Sequence, residues 1–506
     1  LNANHLIERS PGRRVAMTER AASTLMRAAR LRVVLGTLGR LLLVLAALSL
    51  PPALMAWSDA SIELAFRLTA TASALLVVGW PVSRLRPLRA EDSDIQWNEA
   101  LAVTGLAFLI AALVMVWPLT AAGLGMIDAL LEATSGVTTT GLTVLRGLEQ
   151  TDPAVLFLRA WMQWYGGLGI AVLAVALIMR HHASARRLLE TTGERLTDAG
   201  ARGHARSVAA VYFALTLIAI VAVWMTGLAP LEALLYALPA IATGGFAPSD
   251  QSLAGLPGAT VATLSLISVA SAVSLPLSAR LPHRGLRALK HEPELIALLG
   301  AILITALLLS VIAALSSGLP WLQALGQGFA LGVSAQTDTG FSTTEVADLP
   351  AASQGVLMTS MSIGGCTGST AGGIKLIRLL IIMRLVQLAL RRTAIAERAV
   401  LQAQVGDTRI EPSMVTATLQ LMALWAMVLL ASWLAFLALG QPPLPSLFEV
   451  VSATANAGLS AGLTSPELHP ALKLVLCADM LFGRVEILAL LVVLYPPTWL
   501  ARKRNP

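Results

Sequence analysis

Cysteine is almost absent: Cys366 and Cys477 are the only two thiols in 506 residues. Both fall in apolar sequence, which leaves no disulfide framework and no ligand cluster of the kind zinc or iron sites need. Charge is scarce as well. Asp, Glu, Lys and Arg make up 13% of the chain against 56% hydrophobic residues, and a soluble protein carries roughly twice that charged share. No glycine-rich phosphate loop or dinucleotide fingerprint occurs, so nucleotide chemistry has no motif of its own here. The largest polar stretches, near 180–206 and 391–412, are too short to bury a soluble core. Residues 1–32 are polar and basic and lack the apolar core and cleavage site of a signal peptide. They read as a cytoplasmic lead ahead of the first apolar run.

What the chain has instead is hydrocarbon. Its mean hydropathy is +0.73, and ten apolar runs approach the roughly 20 residues that a spanning helix needs. They cover 33–57, 62–82, 99–117, 154–179, 208–228, 259–279, 294–315, an interrupted run over 353–390, 413–439 and 470–499. Lys and Arg concentrate in alternate loops: Arg9 to Arg32, Arg84 to Arg89, Arg180 to Arg206, Arg280 to Lys290, Arg384 to Arg409 and Arg502 to Arg504. The positive-inside rule makes that set cytoplasmic, with both termini inside. The net charge of +7 therefore records topology in a lipid bilayer and not a nucleic-acid partner.

Between the long runs lie four short apolar stretches, each ending in glycine followed by Leu or Phe. They are Thr139-Thr140-Gly141-Leu142, Thr243-Gly244-Gly245-Phe246, Asp338-Thr339-Gly340-Phe341 and Asn456-Ala457-Gly458-Leu459. The glycines are spaced by 104, 95 and 118 residues. Around them the chain matches itself: Asp128 to Leu131 over Glu232 to Leu235, Glu449 opposite Glu132, and Ser452 and Ser334 opposite Ser135. Such weak but ordered similarity is typical of duplicated membrane proteins. It divides the chain into a peripheral two-helix hairpin over 33–98 and four units over 99–206, 207–292, 293–411 and 412–506.

The expected architecture is all-α, with four helix–short helix–loop–helix units around one axis. Irregular backbone at membrane depth is tolerated only where it lines water or is buried in protein. A helix that stops half-way leaves its last carbonyls unpaired and its end partly negative. Four such ends at one axis favour a cation, and the extended residues beyond can replace its water shell with carbonyl oxygens. The hydroxyls of Thr139, Thr140, Thr243 and Thr339 can add to them. Asp338 has two readings: a loop residue bonded to backbone amides behind the filter, or a carboxylate that concentrates cations. Glu132, Glu232 and Glu449 read as structural or mouth-facing.

The densest glycine run, Gly364-Gly365-Cys366-Thr367-Gly368-Ser369-Thr370-Ala371-Gly372-Gly373, interrupts the eighth crossing. It cannot hold a helix, and it will be mobile unless neighbours fix it. A gate below the filter and a packing kink are the two readings. Lys375 and Arg378 follow, either one suited to snorkelling at the cytoplasmic face. Arg484 sits within the last crossing. At the bilayer centre an Arg costs at least about 2.5–3.5 kcal/mol, so it needs a cavity or a partner. A positive barrier in a pore and a buried pair with a carboxylate on another helix both meet that need. Glu486, two residues on, is poorly placed to pair with it.

These residues resemble the TrkH/KtrB/HKT superfamily of potassium transporters. The resemblance spans about 33–499. It rests on the four filter copies, the Gly364–Lys375 segment and the closing Gly483-Arg484-Val485-Glu486, and the leading hairpin is similar to the TrkH branch. It implies a homodimer in the bacterial inner membrane, one pore per protomer, and potassium as the ion held at the filter. It also implies a gate at 364–375, a constriction at Arg484, and cytoplasmic TrkA-type subunits that bind the nucleotide. No cofactor is implied on this chain. In the plant branch, serine at the first filter glycine accompanies sodium preference, whereas Gly141 favours potassium. The fourth copy lacks threonine hydroxyls, so the ring is uneven and a sodium-coupled or sodium-permeable member is the alternative. An intramembrane enzyme is disfavoured: His181 and His182 suit a helix end, and His291 has no Cys or Asp partner. A passive scaffold has no need of four broken half-helices.

Overall fold

A computed structural model describes residues 28–85, 95–181, 198–284, 292–394, 403–406 and 408–500. Residues 1–27 of the lead, much of the basic loops, His182, His291 and the side chain of His181 lie outside the described residues.

The fold is helical, with one two-residue antiparallel pair, β1 (Gln404–Val405) and β2 (Thr408–Arg409), in register Gln404↔Arg409. The leading hairpin comprises α1 (Leu31–Leu48), α2 (Leu50–Ser58) and α3 (Ile62–Ser83). Pro51 and Pro52 start α2 where a missing N–H costs nothing. The hairpin docks on α4 (Trp97–Leu119) and α6 (Pro153–His181). Glu99 fixes it there: its carboxylate caps α4 by accepting from the Gln96 N–H at 2.8 Å, and it also pairs with Arg30 at 2.7 Å.

The remaining chain alternates long helices with short ones. The short helices are α5 (Met126–Val137), α8 (Pro230–Ala242), α12 (Trp321–Gln336) and α16 (Pro443–Ala455). At 1.5 Å per residue they reach only about 18–24 Å, short of a bilayer core of about 30 Å. The other helices, some of them halves of a broken crossing, are α7 (Asp198–Trp224), α9 (Gly258–Ala272), α10 (Leu275–Arg284), α11 (Pro293–Ser316), α13 (Ala351–Ile363), α14 (Leu376–Arg392), α15 (Pro412–Ala438), α17 (Pro470–Arg484) and α18 (Leu488–Leu494).

Among the described residues, six helical segments are long and apolar enough to cross a membrane. The sequence suggested ten crossings, and three of the difference are runs that the structure breaks: 258–284 at Val273-Ser274, 351–392 at 364–375, and 470–494 at Val485-Glu486-Ile487. Only the middle break announces itself in composition. Helix α15 is peripheral, with 11% of its most apolar window buried, against 56% for the segment that holds α4. The core therefore lies where the short helices and broken crossings meet.

Candidate functional site

Each short helix ends the same way. Its last turn closes with a residue in the left-handed region: Thr139 (φ 53°), Thr243 (φ 50°), Asp338 (φ 52°) and Asn456 (φ 55°). Two cap bonds accompany it every time. Thr140, Gly244, Thr339 and Ala457 donate N–H to Ser135, Pro239, Ser334 and Ser452, all at 2.9 Å, and the preceding residue donates one turn back. This is the Schellman closure, normally built on glycine. It pairs two of the terminal carbonyls expected to be free, because the left-handed residue turns two amides back onto them. Threonine there is an outlier of the kind that surrounding structure must enforce.

Two residues on, each chain turns left-handed again, at Gly141 (φ 102°), Gly245 (φ 75°), Gly340 (φ 81°) and Gly458 (φ 81°). These glycines meet in a ring. A Cβ on Gly141 would strike the Gly244 carbonyl, one on Gly245 that of Thr339, one on Gly340 that of Ala457, and one on Gly458 that of Thr140. Each such position also lies 3.0–3.5 Å from a backbone carbon of the next glycine. The succession runs first to second, third, fourth and back to first, so no side chain fits at any of the four positions.

The threonine hydroxyls mostly face protein. Thr140 Oγ1 shares a bond with Thr138 Oγ1 at 2.7 Å and accepts from Asn456 Nδ2 at 2.9 Å. Thr339 Oγ1 bonds Thr337 Oγ1 at 2.7 Å, and Thr243 Oγ1 donates to the Ala242 carbonyl at 2.7 Å. Of the four, Thr139 Oγ1 alone is buried without a partner.

Behind the ring, polar braces hold the backbone. Glu132 accepts from the Val144 N–H at 2.7 Å and from Arg159 Nε at 3.2 Å, with both side chains at most 1% exposed. Arg159 also donates to Thr143 and stacks on Phe246 at 4.0 Å. Glu449, in the equivalent place, accepts from Ser460 at 2.6 Å and Thr464 at 2.7 Å. The structural reading of these two carboxylates is the one the geometry supports, whereas Glu232 is half-buried near the start of α8. Breaking a buried ion pair typically costs about 3–5 kcal/mol. Arg159→Ala is therefore expected to lower the thermal unfolding midpoint in detergent well below that of the conservative Arg146→Lys at the loop surface.

The glycine-rich segment is fixed, not mobile: most of it is buried. Thr370 Oγ1 shares its proton between the Ile241 and Ser271 carbonyls, each at 3.2 Å, and Gly373 N–H donates to the Ala455 carbonyl at 3.0 Å. Those of Ile241 and Ala455 end α8 and α16, the helices of the second and fourth loops, which are opposite in the ring. The segment thus straps across it. Further bonds tie Cys366 N–H to Ala272 O at 3.0 Å, Gln336 Nε2 to Gly364 O at 2.7 Å, and Thr367 N–H to Glu294 Oε2 at 2.6 Å. A Cβ on Gly372 would collide with the Ala455 carbonyl. Lys375 begins α14 at φ 80° and its ammonium turns back to the Ala371 carbonyl. Gly365 packs tightly, since a Cβ there would lie 2.6 Å from that of Ala371.

Arg484 is 5% exposed and donates through Nη1 to the Thr370 carbonyl at 2.7 Å, while Nε and Nη2 have no partner among the described residues. The pair with a carboxylate that its burial suggested does not form among the described residues. Asp338 is fully buried against the strap, its Oδ2 2.7 Å from the Cβ position of Gly364, and neither carboxylate oxygen has a hydrogen-bond partner among the described residues, so the bonds to backbone amides that one reading expected do not form. Arg378, expected to snorkel, pairs with Glu486 at 2.8 Å and so joins the two broken crossings.

Comparison with known proteins decides the family. The TrkH model, described as cation transport protein, matches residues 109–282 and 295–497. This chain belongs to the TrkH family. The Trk system potassium uptake protein TrkH of Escherichia coli (strain K12) is 30% identical over 431 residues, 82% of this chain and 88% of that one. The namesake from Vibrio parahaemolyticus is 33% identical over 389 residues, 74% of this chain and 79% of that one. The crystal structure of the potassium transporter TrkH from Vibrio parahaemolyticus superposes with a TM-score of 0.82 at 28% identity, covering 93% of this chain and 100% of that one. A TrkH-family chain is a multi-pass membrane transporter and not an enzyme.

Sequence reasoning missed several parts of this site: Arg159, Glu294, Gln336 and Gln163, which approaches the second loop from α6. Each is one polar residue with no repeat around it. Burial within an apolar run was the available signal, and it applies to many serines and threonines that merely bond their own helix.

Proposed function

We propose that this protein takes up potassium across the bacterial inner membrane through the glycine ring, with both termini cytoplasmic. The closed succession of contacts among Gly141, Gly245, Gly340 and Gly458 carries the reading. In each copy a residue outside the positive-φ region lies between two left-handed ones, and carbonyls that such a turn directs to the axis can replace an ion's water. The ion-binding backbone is Thr139 to Gly141, Thr243 to Gly245, Asp338 to Gly340 and Asn456 to Gly458. It is supplied by four units over 99–206, 207–292, 293–411 and 412–506.

The segment from Gly364 to Lys375 is the gate, drawn shut across the inner side of the ring. Arg484, whose Nε and Nη2 have no partner among the described residues, adds a positive barrier beside it. Opening requires Thr370 and Gly373 to leave the ends of α8 and α16. A TrkA-type cytoplasmic subunit that binds nucleotide supplies the control, and two copies of this chain form the transporter.

Potassium and sodium flux into liposomes carrying the purified protein tests the assignment. Gly141→Ser is expected to lower the potassium-to-sodium flux ratio about tenfold, which is about 1.4 kcal/mol of discrimination. A folded Gly141→Ser protein with an unchanged ratio counts against the filter.

A further inference from the structure

The ring is not chemically even, and the unevenness comes from outside it. Gln163, on α6 in the first unit, is fully buried. Its Nε2 donates to the Gly244 carbonyl at 2.5 Å, and its Oε1 accepts from the Phe246 N–H at 3.1 Å. The second bond fixes the first. A backbone N–H can only donate, so Oε1 must face Phe246 and the amide nitrogen must face Gly244. The side chain therefore grips the second filter loop on both flanks of Gly245.

Space tells the same story. The residue before the ring glycine is Thr140, Thr339 or Ala457 in the other copies and glycine in the second. A Cβ built on Gly244 would lie 2.5 Å from Gln163 Cδ and 2.6 Å from its Oε1. Gln163 occupies the volume that the missing side chain vacates. Among the described residues, the carbonyls of Thr140, Thr339 and Ala457 have no side-chain donor bonded to them, whereas the Gly244 carbonyl does.

We infer that Gln163 is a specificity-determining residue of the transporter, which weakens the field of one of the four ring carbonyls. This rests on the filter reading above. Selectivity among monovalent cations depends on the number and field strength of the coordinating carbonyl dipoles. A donor on one lone pair draws electron density from the oxygen that would hold the ion. Weak-field sites favour the larger, more easily dehydrated cation, so the amide biases the ring toward potassium.

The test uses the full chain in liposomes, with potassium and sodium flux measured side by side. Gln163→Leu keeps the bulk and removes both bonds. It is expected to raise the sodium-to-potassium flux ratio about fivefold, and Gln163→Asn, whose amide is withdrawn by one methylene, to raise it in the same direction. The spatial half has its own measurement. Gly244→Ala alone is expected to lose flux by collision with Gln163, and Gln163→Ala combined with Gly244→Ala to regain it, the new methyl standing where that of Ala457 stands in the fourth copy. If both ions slow together in the folded variants and the ratio holds, Gln163 is only a brace and the inference is wrong. Failure of the double variant to exceed Gly244→Ala overturns it equally. Wild-type protein without potassium preference would remove the filter reading itself, whereas a selective wild type with unmoved Gln163 variants overturns this inference alone.

Discussion

Alanine at Gly458 is expected to abolish potassium-selective flux. Two costs coincide at this position. The residue sits at φ 81°, where an L side chain is strained, and its Cβ would occupy the place of the Thr140 carbonyl. Left-handed strain alone costs on the order of 1–3 kcal/mol, or about 5- to 150-fold in relative ion affinity. The collision adds to that, because relief requires Thr140 to turn its oxygen away. Thr140 is not free to turn. Its amide caps α5 and its hydroxyl is bound by Thr138 and Asn456. The damage thus spreads through two copies. Flux of potassium over sodium in liposomes measures it, with Gly123→Ala as the control: Gly123 is also left-handed, but nothing lies within 4 Å of its Cβ position. Comparable loss in both variants would mean that strain, not the ring, explains the effect.

The second large effect has the opposite sign. Gly372→Ala is expected to raise basal flux by about 5- to 150-fold. A methyl there collides with the Ala455 carbonyl, which also receives the Gly373 amide. Losing that seat removes one strap bond worth about 1 kcal/mol net and adds a steric penalty. A destabilisation of about 1–3 kcal/mol shifts a closed-dominated equilibrium by the stated factor. Removing residues 364–373 carries the same change further. Wild-type closed-state flux in either folded variant would refute the gate.

The repeat made the ring legible. Four glycines at matching places said more than any one of them, because a pore needs several copies of one backbone turn and each copy repeats the signal. The glycine-rich strap was legible for a similar reason, since no helix survives that density of glycine. Other features belong to tertiary contact and leave no local trace. Gln163 meets Gly244 across 81 residues, and Arg484 meets Thr370 across 114. Nothing near either residue in the chain encodes its partner. The breaks at Val273-Ser274 and at Val485-Glu486-Ile487 were missed because hydropathy continues through them. The threonine hydroxyls were misjudged for a different cause. Composition offers an oxygen at each position, but the left-handed cap and the neighbouring loops decide where it points.

Anomalous diffraction from crystals of the protein grown in rubidium is the most direct test of the central claim. A rubidium peak is expected inside the ring, encircled by the carbonyls of Thr140, Gly244, Thr339 and Ala457. A strong peak elsewhere at membrane depth, with the ring empty, would contradict it.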